Sequence, residues 1–422
     1  MKYIKIYLLI AIFLPAYGWC DRGQNWSNDI DSFYNGLVSN HINPFSKISE
    51  QEFLDEISIL KRDVESISDT KIIVELMKIA RKIGDGHTAV HFHNDTDLKT
   101  FPIELYDDSG TWRVIGIAEE NKNILGAQFT HIGKYNIEEL KKTLSKVVQF
   151  VENENSLQQR ISQYIRYSEL LFELGLIDSE EISTFTFLKG QEKIEIELQS
   201  TSSDMELLRY QVYKPKLEKI KGAGIDALWY GMVLNSNAIY VKFGQYPSFE
   251  QMDKFGQNLL NYINENNVRQ LILDLRGNWG GDFYVGVWLA YYLNLADSID
   301  WLNGVYTLVD KDTFSAATIN ATQFKQLLNA KIVGEPTGSN PNGVQDMGTF
   351  ELPHSGLMIS YSKRVFRLQG KPNEPLIPDV KVKYSWESYI AGEDNILEWV
   401  LNDVKKSEAN AEANKGFHRT SR

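Results

Sequence analysis

Between Ala238 and Gly334 the chain alternates short apolar runs with amphipathic ones, and this alternation limits the fold more than any other feature. Ala238 to Phe243 reads as a strand, Phe249 to Ile263 as a helix and Gln270 to Leu275 as a second strand. Such a unit lays two parallel strands side by side with a right-handed crossover. A helix at about 283 to 294, a strand at 305 to 309, a helix at 315 to 329 and a strand at 331 to 334 continue the pattern. The expected architecture of this half is α/β.

The rest of the chain is patterned differently. Ser49 and Glu52 form a capping box, after which Phe53, Ile57, Leu60 and Val64 recur on one helical face. A second helix is expected over about 71 to 83, and HTAVHFH (87 to 93) alternates like a strand. Residues 19 to 48 are polar and aromatic with weak pattern. From 100 to 135 the chain is β-rich; helices are expected from Asn136 to about Phe150 and between Leu157 and Leu174. Residues 184 to 198 read as a hairpin turning at Lys189-Gly190-Gln191. The expected organisation is a signal peptide over 1–18, a helical region over 19–95, a β-rich region over 96–205, an α/β core over 206–405 and a disordered tail over 406–422.

The net charge of −12 argues against nucleic acid as a partner, because phosphate binding needs a basic face. At the N-terminus, Lys2 and Lys5 precede an apolar run from Ile6 to Leu14, ended by Pro15. That run is shorter than the ~20 residues a membrane span takes. With small residues at Ala16 and Gly18 it reads as an export signal cleaved after Gly18. No later segment has the length and apolarity to span a membrane. Cys20 is the only cysteine, so no intrachain disulfide forms. It opens a lipid-anchor reading, against which Tyr17 and Trp19 are bulky where that signal uses small residues.

Three places carry candidate chemistry. The strand ending in Leu275 runs into Arg276-Gly277-Asn278-Trp279-Gly280-Gly281, beyond the carboxyl end of the sheet where α/β proteins place their sites. Glycines there let backbone N–H groups face a ligand, and such groups could stabilise an oxyanion; a tight strand-to-helix turn is the plain alternative. Ser315 stands where a strand gives way to a helix. It is either an N-cap or a nucleophile at the positive end of the helix, with the Ala316 N–H as an oxyanion donor. His87, in Gly84-Asp85-Gly86-His87-Thr88, could be its general base. His87, His91 and His93 could instead hold a metal, but no firm Asp, Glu or Cys ligand lies nearby in sequence.

Leu271–Gly281 (LILDLRGNWGG), Thr313–Ala317 (TFSAA) with Ile332–Gly338 (IVGEPTG), and Asp85–Thr88 (DGHT) together resemble the C-terminal processing, or tail-specific, serine protease family. The family includes the tricorn protease core and the retinoid-binding modules of the interphotoreceptor protein. The resemblance covers about 225 to 385 and reaches back weakly to residue 50. It implies a ClpP/crotonase-like spiral of ββα units as the catalytic core. It implies Ser315 as nucleophile and an oxyanion hole from the Gly280-Gly281 loop and Ala316. No lysine follows Gly334-Glu335-Pro336-Thr337-Gly338-Ser339-Asn340-Pro341, where the family's serine–lysine branch carries one. The tricorn-like branch uses a serine, a histidine, a second serine beside the histidine and a distal glutamate. His87 matches that histidine, Gly86 replaces the second serine, and Glu374 falls where the glutamate is expected; its plain alternative is a surface turn residue. Residues 124 to 140 resemble a strand–turn–helix passage of the family's PDZ-like domain, in altered form.

The expected function is that of an exported serine peptidase acting on peptide or protein without metal or cofactor. The alternative is a catalytically weak or inactive peptide- or lipid-binding module on the same fold. The sequence leaves the oligomeric state open.

Overall fold

A computed structural model describes residues 19–92, 98–202, 205–210, 217–368 and 373–406. The expected export signal over 1–18, His93 and the tail from 407 onward lie outside the described residues.

Strand–helix alternation in the second half builds a seven-stranded sheet. Its order is Val380–Lys381, Lys331–Gly334, Val305–Val309, Gln270–Asp274, Ala238–Phe243, Leu228–Val233 and Leu217–Ile225. The first five run parallel and the last two close the sheet as antiparallel neighbours. Gln270–Asp274 and Val305–Val309 are buried at every position, because both faces are covered. Leu271, Leu273 and Val305 pack towards Leu259, Leu289 and Phe324, while Ile272, Tyr306 and Val333 pack beneath Ile396, Val400 and Val404 of a helix over 395–406.

Charge at the end of the central strand is structural. Asp274 is 1% exposed and accepts hydrogen bonds from the Arg276 guanidinium (3.0 and 2.7 Å) and from the Tyr240 hydroxyl (2.5 Å). Arg276 turns its other edge to Asp394, at 2.8 and 2.6 Å. Asp394 in turn accepts the Leu397 N–H and starts the last helix. Burial pushes the Asp274 carboxyl up, but Arg276 and Lys242 beside it prevail and hold it well below the usual carboxylate range.

An antiparallel sheet is built from Ile103–Asp108, Thr111–Ile117, Gln128–Ile132, Ile182–Lys189 and Glu192–Gln199. The hairpin turn falls at Gly190, with φ of 66°. One apolar cluster joins this sheet, through Trp112, Phe129 and Phe185, to the first three helices, through Phe33, Phe53 and Met77. The first of these, Trp19–Asn40, covers the stretch whose pattern looked weak. Its core contacts Trp26, Ile30, Phe33 and Leu37 follow helical spacing, but few residues carry it. In a third sheet Ala89–Val90 pairs with Met358–Arg367, which pairs in turn with Asn342–Glu351. The expected strand over 87 to 93 is therefore two residues long, and a turn follows at Phe92.

Arg276→Met is expected to lower unfolding stability by about 3–5 kcal/mol, because it leaves Asp274 buried without its partner. Adding Asp274→Asn should restore part of the loss. Urea denaturation of the three proteins measures both effects.

Candidate active site

Ser315 ends a loop between Val309 and the helix Ala316–Leu327. Its backbone sits at φ 50°, ψ −125°, a region that costs a non-glycine residue about 1–3 kcal/mol. Three contacts impose it. The Ser315 N–H donates to Ser339 Oγ at 2.7 Å, the Phe314 N–H donates to the Asn278 carbonyl at 2.9 Å, and Ser339 Oγ donates to Thr318 Oγ1 at 2.9 Å. The Ser315 hydroxyl does not cap its helix. It lies 2.8 Å from His87 Nε2, across 228 residues of sequence.

His87 is positioned by its own turn. The preceding helix ends at Gly84 in the left-handed conformation, φ 82°. Asp85 then accepts the N–H groups of His87 (2.8 Å) and Thr88 (2.9 Å) on one oxygen. His41 Nε2 at 2.7 Å, the Ser362 hydroxyl at 2.8 Å and the Thr88 hydroxyl at 2.9 Å also bind Asp85. His41 Nδ1 accepts the Asn43 N–H, so its Nε2 carries a proton and donates. Burial raises the Asp85 carboxyl, yet His41, Ser362 and the His87 N–H bring it down to about 2.

On the far side of the imidazole, Glu152 Oε1 lies 3.1 Å from Nδ1, with the histidine and glutamate side chains 3% and 6% exposed. The two atoms are close without an aligned hydrogen bond. The other Glu152 oxygen accepts the Asn340 N–H at 2.7 Å. Asn153, the next residue, caps the helix Glu154–Tyr164 and ties itself to the Thr337 carbonyl and Asn340 Oδ1. Burial pulls the His87 pKa down, but the Glu152 carboxylate, with Asp85 and Asp346, more than offsets it and leaves it above the ordinary histidine value.

This geometry corrects two expectations. Glu374 is exposed, in the stretch leading to the edge strand Val380–Lys381, and the carboxylate on His87 is Glu152. Gly280 does not offer its N–H, which is spent on Asn278 Oδ1 at 2.8 Å. Gly280 instead makes room: a Cβ there would stand 2.8 Å from Ser315 Cβ and 2.9 Å from the Ala316 nitrogen. Ala316 is the first residue of its helix, so its N–H lies at the positive end of the helix dipole. Asp310 fastens the loops together, accepting the Gly277 N–H at 3.1 Å and the Thr313 hydroxyl at 3.0 Å. Burial, then the Asp312 charge, pushes its carboxyl up to about 6.

Glu152 escaped the sequence reading because nothing local marks it. The one available signal was Gly86: a Cβ there would stand 2.3 Å from Glu152 Cγ. The missing side chain beside His87 marks space taken by another segment.

Ser315 and His87 open onto a cleft of about 550 Å³ with aromatic walls, Phe150, Trp279, Phe283, Tyr284 and Phe366 among them. His91 also lines it, and among the described residues no three His, Cys, Asp or Glu side chains are grouped to hold a metal. No described helix is long and apolar enough to cross a membrane.

Residues 290–382 match peptidase family S41. Among solved structures, mature CPAF is similar at 12% identity, with 91% of this chain and 98% of that chain covered and a TM-score of 0.65. Mature CPAF complexed with lactacystin is similar at 12% identity, with 91% and 99% covered and a TM-score of 0.62. At that identity the likeness speaks for the fold. No curated protein matches in sequence.

A general base works as the neutral imidazole, so a raised His87 pKa delays its activation. The rate of Ser315 labelling by a serine-directed phosphonate should rise with pH through a midpoint above ~6.5. Glu152→Gln should move that midpoint down, since it removes the charge that favours imidazolium, and slow labelling by roughly 10²-fold or more. Glu374→Gln should leave midpoint and rate unchanged.

Proposed function

We propose, from the premise that residues 290–382 form a peptidase family S41 domain, that the chain is an exported serine peptidase using Ser315, His87 and Glu152. The observation that carries this reading is the continuous contact from Ser315 Oγ through His87 to Glu152, at 2.8 and 3.1 Å. Ser315 Oγ attacks the carbonyl carbon of the scissile peptide bond and passes its proton to His87 Nε2. Glu152 supports the imidazolium that forms. The carbonyl oxygen gains negative charge and is met by the N–H groups of Gly281 and Ala316. As the tetrahedral intermediate collapses, His87 gives the proton to the leaving amine. Water, deprotonated by the same imidazole, then releases the acyl group from Ser315. Ester bonds would be cleaved by the same groups.

The aromatic cleft favours extended peptides with apolar side chains near the cut. The antiparallel sheet between Ile103 and Gln199 serves in this reading as an altered PDZ-like module. Its support is the passage from Gln128–Ile132 through Tyr135–Asn136 into the helix Ile137–Leu144. The division into 19–95, 96–205 and 206–405 is part of the same proposal. Export rests on Lys2, Lys5 and the apolar run that follows them.

Ser315→Ala should lose turnover of a cleaved library peptide by roughly 10⁴- to 10⁶-fold while still binding it. Retained cleavage by Ser315→Ala would remove the nucleophile from the scheme. A wild-type protein that binds peptide without cutting it would be a binding module.

A further inference from the structure

Arg160 is 1% exposed, in the helix that begins two residues after Glu152. Its guanidinium carbon lies over the Trp279 ring, 3.4 Å from the centroid, with the Phe314 ring at 5.4 Å. One nitrogen pairs with Asp312 at 3.1 Å and reaches Gln163 at 3.3 Å. Nε and the other terminal nitrogen make no hydrogen bond. A buried charge with idle donors is a poor source of stability, since apolar residues of similar volume commonly do as well or better. What this guanidinium does have is position. Trp279 belongs to the oxyanion loop, Phe314 and Asp312 belong to the serine elbow, and the helix follows directly on Glu152.

We infer that Arg160 is a positioning residue that fixes the oxyanion loop against the serine elbow through the face of Trp279. The inference rests on the reading of Gly281 and Ala316 as oxyanion donors. The loop needs such an anchor. Gly277 and Gly280 have φ of 69° and 100°, and glycines have wide conformational freedom that works against a donor held in place. Trp279 stands between Asn278 and Gly280 and is 47% exposed, so its indole is not held by burial alone. The cation beneath it supplies an attraction that strengthens where water is excluded. Asn278 transmits the placement: its carbonyl accepts the Phe314 N–H and its side chain accepts the Gly280 N–H.

The test uses the full chain with Arg160→Met, Arg160→Lys, Trp279→Leu, Trp279→Phe and the Arg160→Met/Trp279→Leu double variant. Trp279→Leu acts from the exposed side and keeps the question open to measurement if Arg160→Met fails to fold. Hydrogen exchange is read over 277–282 and, as control, over the helix Glu50–Asp63. Turnover is read on one peptide that the wild type cleaves. Exchange over 277–282 should speed up in Arg160→Met and Trp279→Leu while the control helix stays unchanged. The kcat should fall by roughly ten- to thirty-fold with KM within about three-fold, as expected for loss of one desolvated cation–ring contact. Trp279→Phe should recover most of the rate, Arg160→Lys little of it, and the double variant should be no slower than the slower single. Unchanged loop exchange, additive rate losses, or in Arg160→Met a raised KM with kcat intact would each overturn the inference. A wild type that neither labels nor cleaves would overturn the peptidase reading instead, and the exchange arm would still decide whether Arg160 anchors the loop.

Discussion

A serine held at positive φ is the constraint on which the rest of the site depends. The conformation is unfavourable on its own and persists only because the surroundings over-determine it. Ser339 takes the Ser315 N–H, Asn278 takes the Phe314 N–H, and Asp310 binds both adjoining loops. The result aims the hydroxyl away from its own helix, where a serine at this position would normally cap, and towards His87. The same bend leaves the Ala316 N–H at the start of the helix, close to Gly280. In the proposed mechanism, nucleophile and oxyanion donors are thus consequences of one backbone geometry.

That geometry needs rigid ground, which the parallel sheet provides. Asp274 and Arg276, charged residues at the mouth of a fully buried strand, are the clearest sign of it. They bind each other, and Arg276 reaches Asp394 at the head of the final helix, so the glycine loop leaves the sheet from a fixed point.

How far the chain could be read in advance follows from the range of the forces involved. The parallel core was legible because strand and helix periodicity are local, and Leu271–Leu273 or Phe249–Ile263 carry their own signal. The hairpin at Gly190 was legible for the same reason. The helix Trp19–Asn40 was not, since only a sparse set of apolar residues marks its buried face. In the site, Ser315 and His87 sit in distinctive turns that short motifs reveal. The carboxylate was beyond reach because its role is set by tertiary packing between residues 87 and 152. The Gly280 donor failed on a finer point: a glycine motif fixes the path of the backbone, but the partner of each N–H depends on a neighbouring side chain, here Asn278.

Gly86 and Glu152 are best understood together. In the arrangement that the family resemblance implies, a side chain at position 86 would stand beside the imidazole. Here that volume is filled by Glu152 Cγ and its carboxylate, and a Cβ at 86 would overlap them. The substitution therefore changes the chemistry at Nδ1 and leaves no gap. A hydroxyl would orient the ring through a neutral hydrogen bond. A buried carboxylate 3.1 Å from Nδ1 acts through its charge, and so raises the pKa of the imidazole. In the proposed mechanism the trade gives a stronger base with a narrower active range, because the imidazole must first lose a proton that Glu152 helps it keep. In that mechanism the acid limit is thus set by a residue on a different segment from either the nucleophile or the histidine.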